Sequence, residues 1–185
     1  PLRSERPKTL INRFAKNATV GISPMKRAYF DTNAVIYYIE QNPTYLPAMV
    51  SRMFSQAGEE RICCVTSDLV RLETRVHPLR HGHSQLLNRF DEFFMATQQH
   101  SVPFGRAVFD LATQMRASHE LKTPDALHLA AALESGCDEF WTNDDRLAKA
   151  ATGRIEVINL KELKGISVDI EPLGNALTLK RLTPP

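Results

Sequence analysis

The sequence predicts an α/β fold in which helices cover both faces of a central, mostly parallel β-sheet. Short segments rich in β-branched and aromatic residues alternate along the chain with longer segments of helical periodicity. Proline, glycine and capping residues separate the two kinds of segment. Strands and helices that alternate in this way are typical of a parallel sheet covered on both faces.

Apolar segments are expected to form the strands, and amphipathic segments are expected to form the helices. The strands are expected at 27–31, 61–66, 138–142 and 154–159. The helices are expected at 33–40, 45–57, 68–76, 84–98, 105–119, 124–135 and 144–150. No internal repeat and no low-complexity segment interrupts this order.

Two of the helices have clear boundary signals. Ser67 is expected to cap the third helix, which Pro78 is expected to end after about Val76. In the segment Thr123-Pro124-Asp125, Thr is expected to cap the sixth helix, Pro to take its first position and Asp to lie in its positive first turn. Gly136 is expected to end that helix.

The chain is expected to contain one domain with an extension at each end. We expect a basic N-terminal arm at 1–25, the α/β domain at 26–160 and a C-terminal tail at 161–185. Residues 1–27 hold seven Lys or Arg residues and one Glu, a net charge of +6, whereas the other residues sum to −4. A basic arm can help to hold a polyanion, but a solvated extension without function is an equal alternative.

The composition excludes several classes of protein. A chain of 185 residues with 43% hydrophobic residues can bury a core without disulfides or a structural metal. Cys63, Cys64 and Cys137 lack the CxxC spacing of zinc and redox sites, and we interpret them as small buried hydrophobic residues. No apolar run could span a bilayer and no signal peptide is evident, so a cytoplasmic protein is expected.

Four acidic residues are expected to meet at one edge of the sheet. Asp31 ends the first strand, Asp144 follows a later strand, and Asp125 opens a helix. Glu73 lies on the helix that starts directly after the second strand. Ligand sites in open α/β sheets lie beyond the carboxyl ends of the strands, so all four can point at one edge. Taken singly, an Asp in such a position is usually a cap or turn residue, and Glu73 would be a solvated helix residue.

Clustered carboxylates predict a metal site. Such groups repel one another and raise their own pKa values unless a cation intervenes, and their oxygens suit Mg²⁺ or Mn²⁺. A bound metal of this kind polarises a phosphoryl oxygen and generates hydroxide, so phosphodiester hydrolysis is the expected reaction. No Gly-rich phosphate loop supports nucleotide-triphosphate chemistry, and Asn33 stands where a phosphatase with a nucleophilic Asp31 would commonly have a second Asp.

The segments around these acidic residues resemble the PIN-domain family, and within it the VapC-like toxins of toxin–antitoxin pairs. The similar segments are Tyr29-Phe30-Asp31-Thr32-Asn33, Val65-Thr66-Ser67 with Glu73, Thr123-Pro124-Asp125-Ala126-Leu127-His128-Leu129-Ala130-Ala131-Ala132, and Phe140-Trp141-Thr142-Asn143-Asp144-Asp145-Arg146-Leu147. Each motif is short, but the four occur in order and at suitable intervals between about 26 and 160.

The resemblance implies an α/β/α sandwich, dependence on Mg²⁺ or Mn²⁺, RNA as substrate, homodimerisation and a cognate antitoxin that blocks the site. It implies that the catalytic and metal-binding set is Asp31, Glu73, Asp125 and Asp144. The residues implied to support that set are Thr32, Asn33, Ser67, Thr142, Asn143 and Asp145. The residues expected to bind the substrate are Arg71, Arg75 and Arg146.

Some features depart from the family pattern. Asp145 adjoins Asp144, although the spacing from Thr142 favours Asp144 as the metal ligand. Leu147 stands where an aromatic residue often closes the fourth motif, and the chain exceeds a minimal toxin at both ends. Two alternatives therefore stay open: a non-catalytic PIN-like module that binds RNA or protein, and an RNA-processing or DNA-flap nuclease outside a toxin system.

Histidines and aromatic residues have competing interpretations. The group His77, His81 and His83 is interpreted as a solvated basic loop or a phosphate contact, because a zinc site would need a fourth ligand. His128 lies one turn after Asp125, and a packed core histidine is favoured over one that lines the cleft. The aromatic residues expected in the core or at a dimer face, rather than as base-stacking platforms, are Trp141, Phe90, Phe93 and Phe94.

Overall fold

A computed structural model describes residues 25–54, 61–96 and 100–163 of the chain. Within these residues five strands form one sheet, and every neighbouring pair is parallel. The strands are β1 (Lys26–Phe30), β2 (Ile62–Ser67), β3 (His100–Val102), β4 (Glu139–Thr142) and β5 (Glu156–Asn159). The helices are α1 (Thr32–Ile39), α2 (Leu46–Met53), α3 (Asp68–His81), α4 (Ser84–Met95), α5 (Arg106–His119), α6 (Thr123–Glu134) and α7 (Asp145–Ala151). The predicted fold class is confirmed.

The first strand of the chain is the central strand of the sheet. The order across the sheet is β3-β2-β1-β4-β5. Tyr29 of β1 is level with Val65 of β2 on one side and with Phe140 of β4 on the other. Because the pairing is parallel, these strands all end at the same side of the sheet.

The two ends of the strands define two edges that are referred to below. The carboxyl edge consists of the residues that follow β1, β2 and β4, together with the first turns of the helices that start there. The amino edge is the opposite side, where Lys26, Glu139 and Glu156 begin their strands. Ligands of parallel α/β sheets bind at the carboxyl edge.

Aromatic side chains of the two central strands fill the core. Phe30 stacks on Trp141 with the ring centroids 4.6 Å apart, and Tyr29 stacks on Phe140 at 5.7 Å. All four side chains are completely buried. Burial of a large apolar side chain contributes roughly 1.5–3 kcal/mol, so these contacts give the carboxyl edge a rigid base.

Helix α6 carries residues of the carboxyl edge through the core. Every residue between Ala126 and Ala132 is buried, and four of these seven residues are alanines whose small side chains allow close packing. His128 is the polar member of this segment. Asp125, one turn earlier, is only half-buried, so α6 connects the interior to the surface at this edge.

Between β2 and α5, one expected helix end is wrong and one strand was not predicted. Helix α3 continues through Pro78 to His81 and ends at Gly82, whose φ of 67° is left-handed. The proline removes one backbone hydrogen bond, but α3 packs along α4, and Gly82 provides the stop. The sequence does not predict β3, because a strand of three residues, two of them exposed, gives no periodic signal.

The helix boundaries predicted from capping residues are partly confirmed. Ser67 caps α3 with its hydroxyl oxygen, as predicted. Thr123 is the first residue of α6 and not its cap, because the hydrogen-bond ladder already starts with Ala126 N–H donating to the Lys122 carbonyl at 3.0 Å. Gly136 follows the end of α6 with a φ of 66°, in agreement with the predicted stop.

Several predictions fall largely outside the described residues, namely the arm at 1–25, the tail at 161–185 and the end of the helix expected at 45–57. Among the residues that the structure describes, no helix is long and apolar enough to cross a membrane. Cys63 and Cys64 are buried in β2 and Cys137 is half-buried, and no disulfide joins these three described residues.

Candidate active site

The first acidic residue of the carboxyl edge is Asp31, which directly follows β1. Its side chain is 4% exposed, and Oδ1 accepts a hydrogen bond from the backbone N–H of Ala34 at 2.8 Å, which caps α1. Burial raises the pKa of Asp31, although hydrogen bonds from the Thr142 hydroxyl and from the backbone of Ala34 and Asn143 oppose the rise. Asp31 is thus both a helix cap and a buried acid. No described Lys or Arg forms an ion pair with it.

Asp144 lies beyond the end of β4 and caps α7. Its Oδ1 accepts hydrogen bonds from the backbone N–H groups of Arg146 at 2.8 Å and Leu147 at 3.1 Å. Its Oδ2 lies 4.0 Å from a guanidinium nitrogen of Arg146. The backbone N–H of Asp144 donates to the Thr142 hydroxyl at 3.0 Å, so Thr142 links the Asp31 and Asp144 segments.

The adjacent Asp145 has different partners. Its carboxylate accepts hydrogen bonds from Lys161 Nζ at 2.7 Å and from Asn159 Nδ2 at 3.2 Å. The bond from Lys161, helped by the one from Asn159, lowers the pKa of Asp145. These contacts support the expectation that Asp144, rather than Asp145, belongs with Asp31, Glu73 and Asp125. These four residues are called the acidic group below.

Asp125 lies in the first turn of α6 and is half-buried. Burial raises its pKa, and the nearby charge of Asp144 raises it further. The charges of Arg146, His128 and Lys122 act in the opposite direction without cancelling the rise. Asp125 and Asp144 are therefore two carboxylates close enough to repel each other.

Glu73 reaches the same edge from the second turn of α3. Its Oε2 accepts a hydrogen bond from the hydroxyl of Thr32 and a second from Nε2 of His128, at 3.1 Å. Burial alone would raise the pKa of Glu73, but these two bonds and the charge of His128 outweigh it, and the pKa is lowered. Glu73 is thus an oriented carboxylate at neutral pH.

His128 is the residue of this site whose role the sequence does not reveal. It is buried as expected, at 4% exposure, but both of its ring nitrogens contact polar groups of the edge. Nδ1 lies 3.0 Å from the hydroxyl of Tyr29, which lies 2.7 Å from Oγ of Ser67. The available signals are the spacing of one helical turn from Asp125 and the position of Tyr29 two residues before Asp31, on the same side of the strand.

The other residues expected to support the acidic group are placed differently from one another. Asn143 donates a side-chain hydrogen bond to the hydroxyl of Tyr37 at 2.8 Å and so ties the end of β4 to α1. Asn33 is exposed in the first turn of α1. Thr32, Ser67 and Thr142 all make hydrogen bonds within the edge, as described above.

The three arginines expected to bind the substrate fall into two groups. Arg71 and Arg75 extend from α3 towards Asp91 of α4, with nitrogen–oxygen distances of 3.9 Å and 3.0 Å. Their ion-pair partner is therefore Asp91 and not one of the four acidic residues. Arg146 is exposed beside Asp144 and lines a cavity that opens next to Asp125.

That cavity has a volume of about 550 Å³ and lies between the end of α5, the start of α6 and one side of α7. Its lining contains the basic residues Lys122, Arg146 and Lys149 and the acidic residues Glu120 and Asp125. Arg146 and Lys149 are three positions apart on α7, which places them on the same face of that helix. Asp125 thus adjoins a cavity in which Lys and Arg side chains outnumber the acidic ones by one.

The acidic group fits a divalent metal in its chemistry. Within the described residues, no three His, Cys, Asp or Glu side chains are already gathered in an arrangement that would hold a metal ion. The group nevertheless offers carboxylate oxygens, which are the donors that Mg²⁺ and Mn²⁺ prefer. In the described part of the chain only Asp144 has a Lys or Arg within ion-pair distance, at 4.0 Å, and the charge of Asp144 destabilises ionised Asp125 more than Arg146 stabilises it. A bound cation would reduce the electrostatic repulsion within this group.

The three-histidine group lies elsewhere, at the junction of α3 and α4. Its expected placement in a loop is wrong, because His77 and His81 belong to the last turns of α3 and His83 precedes the first turn of α4. The ring centroids are 4.4–5.8 Å apart, and Nδ1 of His81 contacts the carbonyl of His77 at 2.9 Å. Like the other described residues, these three histidines are not arranged in a way that would hold a metal ion.

Known proteins share this fold. The family profile described as PIN domain matches residues 28–153, a span that contains the whole acidic group. The chain resembles VapBC2 from Rickettsia felis bound to a DNA fragment from their promoter, at 14% identity and a TM-score of 0.57, over 72% of this chain and 98% of that one. It also resembles a toxin–antitoxin complex from Klebsiella pneumoniae, at 19% identity and a TM-score of 0.54, over 72% and 97% of the two chains.

A further similar structure is FitAcB from Neisseria gonorrhoeae, at 15% identity and a TM-score of 0.51, over 72% of this chain and 98% of that one. At such identities the likeness establishes the fold alone. No curated protein matches the chain in sequence.

Proposed function

Because the chain belongs to the PIN-domain family, we propose that it is a Mg²⁺- or Mn²⁺-dependent ribonuclease that hydrolyses phosphodiester bonds in RNA. The observation that carries the proposal is the acidic group at the carboxyl edge, most of which has no Lys or Arg partner among the described residues. A structural role would favour such partners, because unpaired clustered carboxylates destabilise a fold.

Asp31, Glu73, Asp125 and Asp144 are the proposed metal-binding and catalytic residues. A bound metal would supply charge for the phosphoryl oxygens and lower the pKa of a water molecule. The chain itself supplies orientation: the backbone of α1 fixes Asp31, and the backbone of α7 fixes Asp144. The proposed supporting residues are Thr32, Asn33, Ser67, Thr142, Asn143 and Asp145.

We propose that the RNA strand crosses the acidic group and continues into the basic cavity. Arg146, Lys122 and Lys149 would bind phosphates next to the one that is cleaved, since Lys and Arg contacts to phosphates supply most sequence-independent affinity. Arg71 and Arg75 are proposed to act further along the strand, where Asp91 holds them in place.

The proposed biological setting is a toxin–antitoxin pair in the cytoplasm, with an antitoxin and a second copy of the chain as partners. Its support is the fold shared with a toxin–antitoxin complex and with VapBC2. An RNA-processing nuclease outside such a pair would use the same residues. The two settings are distinguished by cleavage of defined RNAs by the full chain, alone and co-expressed with the product of the reading frame upstream of its gene. Inhibition by that product supports a toxin–antitoxin pair.

The proposal is tested by cleavage of total RNA and of fluorescent single-stranded oligoribonucleotides by the full chain. We expect cleavage with Mg²⁺ or Mn²⁺ and none after chelation. Asp31→Asn should keep the α1 cap, because Asn caps as well as Asp, yet lower the rate about a thousandfold, since metal-ion charge stabilisation is worth several kcal/mol.

Asp110→Asn is the matched control, because Asp110 is exposed on α5 and belongs to none of the groups discussed. It should cleave like the wild type. A wild-type chain that binds RNA without any metal-dependent cleavage would instead support the alternative of a non-catalytic binding module.

A further inference from the structure

We propose that His128, itself oriented by Tyr29, is a positioning residue that holds the carboxylate of Glu73 for metal binding. This inference rests on the proposed function. It assigns a task to two buried polar side chains that do not belong to the acidic group. A histidine inside an otherwise apolar helix segment costs stability unless its polar atoms are bonded, so its partners indicate what it does.

The contacts form one continuous chain from the core to the edge. The hydroxyl of Tyr29 lies 2.7 Å from Oγ of Ser67 and 3.0 Å from Nδ1 of His128. Nε2 of His128 lies 3.1 Å from Oε2 of Glu73. These residues come from β1, the end of β2, α6 and α3, so the series of hydrogen bonds connects four elements of the fold.

With a neutral His128 ring, one assignment of hydrogens satisfies all of these contacts. Nε2 faces a carboxylate oxygen, which only accepts, so Nε2 must carry a hydrogen. In the neutral ring Nδ1 is then an acceptor, and the Tyr29 hydroxyl donates to it. The Ser67 hydroxyl donates to the Tyr29 oxygen while Ser67 Oγ accepts from the backbone N–H of Val70. Burial raises the pKa of Tyr29, which keeps its hydroxyl protonated.

The arrangement leaves Glu73 with one anchored oxygen. Both hydrogen bonds that it accepts, from Thr32 and from His128, end on Oε2. None of the described residues donates a hydrogen bond to Oε1. Glu73 would otherwise be a mobile side chain on a helix surface, and the two donors restrict it to one orientation with Oε1 available to a cation.

Residues that orient metal ligands through such bonds typically affect metal affinity 10- to 100-fold. A side chain that only fills space would not act through one particular nitrogen. The Nε2–H group is therefore the atom that a test must address, separately from the volume of the ring.

The experiment uses the full chain and measures Mn²⁺ affinity by titration calorimetry, with RNA cleavage measured in parallel. His128→Leu and His128→Asn, which cannot place a donor at the position of Nε2, should weaken Mn²⁺ binding roughly 10- to 100-fold. His128→Gln carries its amide N–H at about that position and should restore affinity to within a few-fold of the wild type. His100→Gln, at an exposed residue of β3, is the control and should have no effect.

Tyr29→Phe keeps the aromatic ring and removes only the hydroxyl, so it tests the inference even where His128 variants fail to fold. We expect an Mn²⁺ affinity a few-fold below that of the wild type. Nitrogen-15 spectra of the imidazole at neutral pH should show the Nε2–H form of His128 in the wild type, and a mixture of both tautomers in Tyr29→Phe.

Three results would overturn the role of His128. These are wild-type Mn²⁺ affinity in His128→Leu or Tyr29→Phe, an affinity in His128→Gln as low as in His128→Leu, and a wild-type imidazole that carries its hydrogen on Nδ1 and none on Nε2. A wild-type chain that neither binds Mn²⁺ nor cleaves RNA would instead overturn the proposed function. The two failures are therefore distinguishable.

Discussion

At the amino edge of the sheet, where β1, β4 and β5 begin, two carboxylates share two cationic side chains. Glu139 is 1% exposed and accepts hydrogen bonds from Lys26 Nζ at 2.9 Å, from Arg52 at 2.9 Å and from the indole N–H of Trp141 at 2.8 Å. Glu156 lies 2.8 Å from Lys26 and 3.1 Å from Arg52. Burial alone would raise the pKa of Glu139, but the bonds from Arg52, Lys26 and Trp141 lower it.

At the carboxyl edge Asp31 and Asp125 are in the opposite setting, whereas Glu73 has a pKa that His128 and Thr32 lower. Asp31 is almost as buried as Glu139, but its partners are a hydroxyl and backbone N–H groups. Asp125 feels the charge of Asp144. The pKa values of Asp31 and Asp125 are accordingly raised, whereas that of Glu139 is lowered.

The comparison separates two uses of the same functional group. Carboxylates with Lys and Arg partners stabilise the amino edge, and their charge is already neutralised by those partners. Carboxylates held by caps and hydroxyls have no cation to compensate their charge, and the fold tolerates the cost of their burial and mutual repulsion. Strained or poorly compensated groups of this kind are typical of functional sites, where activity is retained at some cost in stability.

The largest difference between the two edges should appear in variants that neutralise one carboxylate. Glu139→Gln should destabilise the metal-free protein by about 2–3 kcal/mol, because it removes the charge of a buried carboxylate and leaves Lys26 and Arg52 with the exposed Glu156 as their only shared partner among the described residues. Urea unfolding followed by circular dichroism measures the change. Glu156→Gln is the matched control; its side chain is 49% exposed, so the change should stay below about 1 kcal/mol.

Equal losses in the two variants would mean that burial does not distinguish Glu139 from Glu156. An unchanged stability in Glu139→Gln would remove the amino edge from the comparison.

Asp31→Asn should change the stability in the opposite direction. The variant removes a buried charge that has no Lys or Arg partner and retains the cap on α1, so the metal-free protein should become more stable by up to about 1 kcal/mol. The same unfolding experiment, carried out with a chelator, measures the gain. A loss as large as that of Glu139→Gln would show that Asp31 is a structural residue.

The pH dependence should sharpen the contrast through the differences between variant and wild type. The pKa of Glu139 is lowered, so its stabilisation is complete above the unfolded value of about 4.5 and is lost as the pH falls through its folded pKa. The pKa of Asp31 is raised, so its contribution is present below the unfolded value of 3.8 and is lost as the pH rises through its folded pKa.

The gain in Asp31→Asn should therefore be largest at neutral pH and disappear on mild acidification, whereas the loss in Glu139→Gln should persist until more acidic pH. Unfolding curves between pH 7 and pH 4 measure both differences. Two differences that fall together over the same pH interval would contradict the opposite shifts.

The parts of the fold that the sequence predicts are those with a local signal. Short apolar segments that alternate with helical segments predict β1, β2, β4 and β5. The acidic residues after β1 and β4 are then predicted to lie at the ends of those strands. Helix α3 beyond Pro78 depends on packing against α4, the next helix, and the short β3 depends on pairing with β2, which is remote from it in sequence. Boundaries of that kind are decided by tertiary packing and not by propensity.

The candidate site shows the same limit. Asp31, Asp125 and Asp144 can be identified because strand ends and helix starts place them at one edge, and Glu73 because its helix begins there. The contact between His128 and Glu73 joins α6 to α3 across 55 positions of sequence, and no spacing rule relates the two residues. The same holds for Lys26 and Glu139, which are 113 positions apart.

The central claim is that the carboxyl edge, and not the amino edge, takes up a divalent cation. Titration calorimetry of the full chain with Mn²⁺ tests it directly. We expect binding in the wild type, unchanged binding in Glu139→Gln at a temperature where it is folded, and loss of binding in Asp125→Asn. Equal Mn²⁺ affinity in the wild type and in Asp125→Asn, or no binding in either, would contradict the account.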